Sequence, residues 1–133
     1  MNTLTQLGSF AAIFLAIDFV WLSLMAKNFY RKELGPLMLA NPNLVAAGIF
    51  YIIFSVAAGF LVFQPAVEKG SWQHALGYGA LFGLATYATY DLTNLATLKG
   101  FSPKLVVVDL LWGTSLTAVS SLLCYLAYTK FFA

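Results

Sequence analysis

The sequence predicts an all-helical integral membrane domain, a bundle of four spanning helices, and three observations carry that reading. Hydrophobic residues make up 61% of the 133-residue chain and charged residues only 9%, where soluble domains hold roughly 45–50% and about 25%. Four apolar stretches reach the roughly 20 residues that a helix needs to cross the hydrocarbon of a bilayer. Proline, glycine and capping residues punctuate the boundaries between them. A chain of this length makes a single domain, here residues 1–133.

The first span runs over about 4–26. Its length exceeds the roughly 7–15-residue apolar core of a signal peptide, no Lys or Arg precedes it, and Asp18 lies within it. It is therefore expected to remain as a spanning helix. The connection from Lys27 to Asn43 is the longest. There Phe29, Tyr30, Leu34, Leu37 and Met38 form an apolar stripe beside Lys27, Arg31 and Lys32, which predicts a short helix at the membrane surface, with an irregular loop as the alternative. Asn41-Pro42 places a capping side chain before a proline suited to a first helical turn and predicts the start of the second span, about 44–64. Gly70-Ser71 precedes the third, about 72–98, and Lys99-Gly100 closes it. Ser102-Pro103 opens the fourth, about 104–129. Small residues at Gly79 and Gly83, and at Ser55 and Gly59, mark where backbones approach closely.

Charge sets the expected orientation. Lys27, Arg31, Lys32, Lys99 and Lys104 fall on one side and only Lys69 and Lys130 on the other, so the positive-inside rule puts both termini outside the cytoplasm. A net charge of +2 with scattered basic residues excludes a nucleic-acid partner. The one cysteine, Cys124, lies in an apolar run and reads as packing.

Three of the five acidic residues lie inside spans: Asp18, Asp91 and Asp109. A charge at the bilayer centre costs about 2.5–3.5 kcal/mol on insertion scales, and intramembrane acids mark function by default. Counting at 1.5 Å per residue from Lys27, Lys99 and Lys104 puts the three about 13, 12 and 8 Å from the same boundary, in one layer. Facing agrees with depth. Phe14, Asp18, Trp21 and Met25 share a helical face; so do Gly83, Tyr87, Tyr90, Asp91 and Asn94, and so do Asp109, Trp112, Gly113 and Leu116. Asp-x-x-Trp occurs twice, at Asp18–Trp21 and Asp109–Trp112, and an indole N–H is a donor that can serve a carboxylate in the layer. The expected ligand-binding residues are Asp18, Trp21, Tyr87, Tyr90, Asp91, Asn94, Asp109 and Trp112, with Asp91 foremost. The second span, which has no ionisable group, reads as scaffold.

The run from Tyr87 through Asp91 to Asn94, with Asp109-x-x-Trp112-Gly113 and Asp18-x-x-Trp21, resembles an uncharacterised bacterial membrane-protein family catalogued as domain of unknown function 2177. The resemblance covers nearly the whole chain and implies a small inner-membrane protein. It implies no established activity, although members are often encoded beside lipid-modifying and stress-response proteins.

Three carboxylates close together in low dielectric cannot all be ionised without compensation. One reading is a site that binds or translocates a proton, a hard cation or a cationic small molecule, with Thr93, Thr114 and Ser115 as further oxygen donors. Tryptophans and tyrosines there suit cation–π contact. A second is a membrane-embedded enzyme or accessory factor acting on lipids, for which no nucleophile motif, histidine cluster or cofactor fingerprint is present; His74 stands alone near the opposite boundary. A third is a purely structural polar cluster. No metal is assigned, the cofactor is unknown, and four short helices around a polar layer leave room for a homodimer in the bilayer.

Overall fold

The computed structural model describes residues 3–39 and 41–131, and among these the regular structure is entirely helical. Helix α1 covers Thr3–Met25 and continues through a wide (π) turn, Ala26–Tyr30, into the four-residue α2, Arg31–Leu34. A 3-10 turn, Gly35–Leu37, ends this connection. Helix α3, Leu44–Ala58, passes through a second π turn, Gly59–Phe63, into α4, Gln64–Lys69, so the second apolar stretch is helical five residues beyond Gln64 and takes in Glu68. The π turn has a local cause. Pro65 has no N–H to return to the preceding turn, and widening the helix just before it accommodates the loss. Helices α5, Trp72–Thr97, and α6, Pro103–Phe131, complete the chain.

Three of these helical stretches are long and apolar enough to cross a membrane: Leu4–Met25, Leu44–Lys69 and Pro103–Phe131. Helix α5 has the length, 26 residues, but not the hydropathy, because its second half carries Thr86, Tyr87, Thr89, Tyr90, Asp91, Thr93 and Asn94.

Capping follows the expected chemistry with one correction. Ser71 accepts from the His74 amide and Ser102 from the Leu105 amide, and Gly70 takes the left-handed conformation that ends α4. At α3, however, the cap is Asn43, which accepts from the Ala46 amide at 3.1 Å. Asn41 lies two residues too early, since the apolar helix begins only at Leu44. The connection after α1 turns inward. Phe29, Tyr30 and Leu34 pack on Phe101, Leu105 and Val106, Leu37 is exposed, and the Lys27 side chain lies outside the described residues.

The core sits between α1, α3 and α6. Phe10, Phe14, Phe54 and Phe63 are buried there with Ala58, Ala66, Leu116 and Cys124, while Phe60 is exposed and Phe50, packed on Tyr51 and Phe54, is half-exposed. The most extensive helix pairing in the fold is between α5 and α6. A Cβ on Gly79 would meet Ser121 at 2.9 Å, one on Gly83 would meet Thr117 at 2.8 Å, and one on Gly113 would meet the Tyr87 ring at 2.2 Å. Only glycine permits these approaches. The three contacts lie four residues apart on both antiparallel helices, which fixes one register for the whole seam. Gly59 faces α1, where a Cβ would meet the Leu7 side chain, and Ser55 is buried one turn before it.

Candidate functional site

Helical spacing delivers the polar layer to one place. Phe10, Phe14 and Asp18 lie four residues apart on the buried face of α1, with Asp18 only 5% exposed. Asp109 lies on the buried face of α6 that runs from Leu105 through Gly113 to Thr117. Between them lies a cavity of about 420 Å³. Asp18, Asp109, Trp21, Trp112, Tyr87 and Tyr90 line it, together with Tyr30, Tyr51, Thr86 and an apolar wall of Leu22, Leu34, Met38, Phe50 and Leu105.

Each carboxylate on the wall is met by neutral donors. Asp18 accepts from the Tyr51 hydroxyl at 2.5 Å through one oxygen and from Trp112 Nε1 at 3.2 Å through the other. Asp109 accepts from the Tyr30 hydroxyl at 2.8 Å, and that hydroxyl in turn accepts from Trp21 Nε1 at 2.8 Å. The two indoles stack over one another with centroids 4.2 Å apart. Burial first, and the Asp109 charge next, push the Tyr30 phenol above its usual range, so it stays protonated and donates. The ammonium of Lys104 sits over the Phe29 ring, 5.9 Å from its centroid.

Of the eight residues expected from sequence, six line the cavity and two do not. Asp91 is fully buried behind it, in the α5–α6 seam beside Asp109. Asn94 lies one turn further along α5, within reach of Tyr90. Thr93 and Thr114 do not offer free hydroxyls, because each donates to a carbonyl of its own helix, to Thr89 and Leu110 respectively. Ser115 is exposed.

Two tyrosines were missed. Tyr51 belongs to the span read as scaffold, yet it supplies the closest donor to Asp18. The signal was available: it lies seven residues after Leu44, about 10 Å into that helix and level with the aspartates. Tyr30 falls in the apolar stripe expected at the membrane surface, and no spacing rule carries it to Asp109, because the π turn that aims it is not visible in sequence. Among the described residues no cluster of three or more His, Cys, Asp or Glu is placed to hold a metal ion.

A profile of the family described as "Predicted membrane protein (DUF2177)" matches residues 3–126. No curated protein and no solved structure matches the chain.

Proposed function

The chain belongs to the DUF2177 family of predicted membrane proteins, and from that premise we propose that it crosses the membrane four times and binds or translocates a cation or cationic small molecule in the cavity between α1, α3, α5 and α6. The observation that carries this reading is the pairing of Asp18 and Asp109 on one aromatic-walled cavity where, among the described residues, both accept from neutral donors alone. Neutral hydrogen bonds orient a carboxylate but leave its charge uncompensated in a low-dielectric surround. A cation entering the cavity supplies the missing charge and meets the faces of Tyr87, Tyr90 and the indoles.

The fourth crossing rests on how α5 hides its polarity. Thr86, Thr89, Thr93 and Thr97 each donate to a carbonyl one turn back, which satisfies them within the helix. Asp91 is buried, and α5 covers the face of α6 that carries Asp109, Gly113, Thr117 and Ser121. With α5 absent from the bilayer, that polar face would meet lipid. Both basic connections then lie on the cytoplasmic side of a bacterial inner membrane, following their charge.

A thermal-stability assay of the purified protein in detergent tests the site, with tetraphenylphosphonium and alkylammonium ions as probes. A probe at a hundred times its Kd should stabilise wild type by about 2.7 kcal/mol. Asp18→Asn and Asp109→Asn should lose that shift. Indifference of wild type to every cation, or equal shifts in the variants, sinks the reading.

A further inference from the structure

The most deeply buried acid in the protein is not on the cavity wall. Asp91 is 0% exposed, and neither of its carboxyl oxygens takes a hydrogen bond from a donor among the described residues. What it meets is another acceptor. The register that sets Gly79 against Ser121, Gly83 against Thr117 and Tyr87 against Gly113 brings Asp91, four residues on, opposite Asp109, and the two carboxyl groups are within interaction distance. Two ionised carboxylates cannot share such a contact, whereas one proton between them makes one oxygen a donor and the other its acceptor.

We propose that Asp91 and Asp109 hold one proton between them, and that a cation entering the cavity displaces it, so that binding is a cation–proton exchange. Asp109 has two sides. One faces Asp91 across the seam, and the other faces the cavity through the Tyr30 hydroxyl. A positive charge arriving on the cavity side favours ionised Asp109 and removes the advantage of the shared proton. The carboxyl O–H bond breaks, the proton passes to bulk water, and a monovalent cation leaves the net charge of the site unchanged.

The groups around the pair fit this exchange. From α6 the titratable neighbour of Asp91 is Asp109; from its own helix it is Tyr90, while Tyr87, one turn earlier, stands by Asp109 on the cavity wall. The π turn contributes Tyr30, through Asp109. Asp18 of α1, held by Tyr51 of α3, lies on the same cavity wall. An unpartnered, fully buried acid is costly in a purely structural role, since its desolvation returns no hydrogen bond. As the resting place of a proton it is neutral and satisfied.

This inference rests on the reading of the cavity as a cation site, and one experiment separates the two. Tetraphenylphosphonium is titrated into the purified protein in weakly buffered detergent while proton release is followed, and the binding titration is repeated over a range of pH. Wild type is expected to release about one proton per probe bound. Its apparent Kd should rise about tenfold for each pH unit of acidification through the range where the pair is protonated. In Asp91→Asn the probe should bind without proton release and with an affinity that no longer follows pH. Binding by wild type without proton release overturns the exchange alone, as does an Asp91→Asn variant that releases protons as wild type does. Absence of probe binding to wild type overturns the cavity reading and this inference with it. Where Asp91→Asn does not fold, infrared difference spectra of wild type decide the matter. A protonated-carboxyl band that disappears on probe addition is expected, and one that persists overturns the exchange.

Discussion

The indoles of Trp21 and Trp112 stack with their planes 9° apart, yet neither serves the aspartate one turn away on its own helix. Trp112 of α6 donates to Asp18 of α1, and Trp21 of α1 reaches Asp109 of α6 through the Tyr30 hydroxyl. The two Asp-x-x-Trp pairs exchange partners across the helix interface. Stacking holds the rings parallel, and the crossed hydrogen bonds tie α1 to α6 at the depth of the cavity.

Trp112→Phe keeps an aromatic ring but removes a donor from a buried carboxylate. The expected cost is about 1–3 kcal/mol, read as a lowered melting temperature in detergent. Trp72, which is exposed, is the control, and Trp72→Phe should change stability by less than about 0.5 kcal/mol.

Gly83→Ala tests the α5–α6 seam. Its Cβ would lie 2.4 Å from the Gly113 carbonyl oxygen, a backbone atom that cannot swing aside. Overpacking of this kind costs about 1–3 kcal/mol. Gly48→Ala in α3 meets nothing within 4 Å and should be neutral or stabilising by up to about 1 kcal/mol, because alanine is the better helix former. Equal melting temperatures for the two variants would contradict the register described.

Ser102 does two tasks at once. It accepts from the Leu105 amide as the cap of α6 and donates to Glu33 at 2.6 Å, fastening the connection after α1. Ser102→Ala should cost about 0.5–2 kcal/mol. Ser102→Asp preserves the cap but sets a carboxylate against Glu33. Its stability loss should be smaller, while amide hydrogen exchange of residues 31–37 should quicken relative to wild type.

The Tyr30 phenol gives a pH signature. Its affinity for its proton is raised in the fold by burial and then by Asp109, so its contribution to stability is intact below the ordinary phenol value of about 10. That contribution declines as pH rises toward the higher folded value. Tyr30→Phe cannot ionise and should show a shallower loss of stability above pH ~10. Alkaline melting curves of equal slope for the variant and wild type would count against a protonated Tyr30 as the donor to Asp109.

The acids on the cavity wall were legible in sequence because facing follows from helical periodicity. Asp18 and Asp109 stand on the cavity wall as that rule implies. Asp91 obeys the same rule and still ends behind Asp109, because depth and face do not say which of two helices in glycine contact stands nearer the cavity. The partners were harder to read. Tyr51 was hidden by an assumption that a span without charge carries no chemistry, although its depth was countable. Tyr30 was beyond counting, since a connection read as a surface stripe has no fixed phase. The hydropathy of α5 counts as polar four threonine hydroxyls that are bonded to their own helix.

The π turn at Ala26–Tyr30 bears on how this chain tolerates changes of length. A regular helix advances about 100° per residue, so one residue deleted between Trp21 and Tyr30 would swing the phenol away from Asp109 and leave the Trp21 indole with no acceptor there. Insertions in the non-helical residues 41–43 carry no such penalty, since nothing at the cavity is aimed by their phase. Variation in loop length among related chains should therefore collect just before α3, while the nine-residue step from Trp21 to Tyr30 keeps its length.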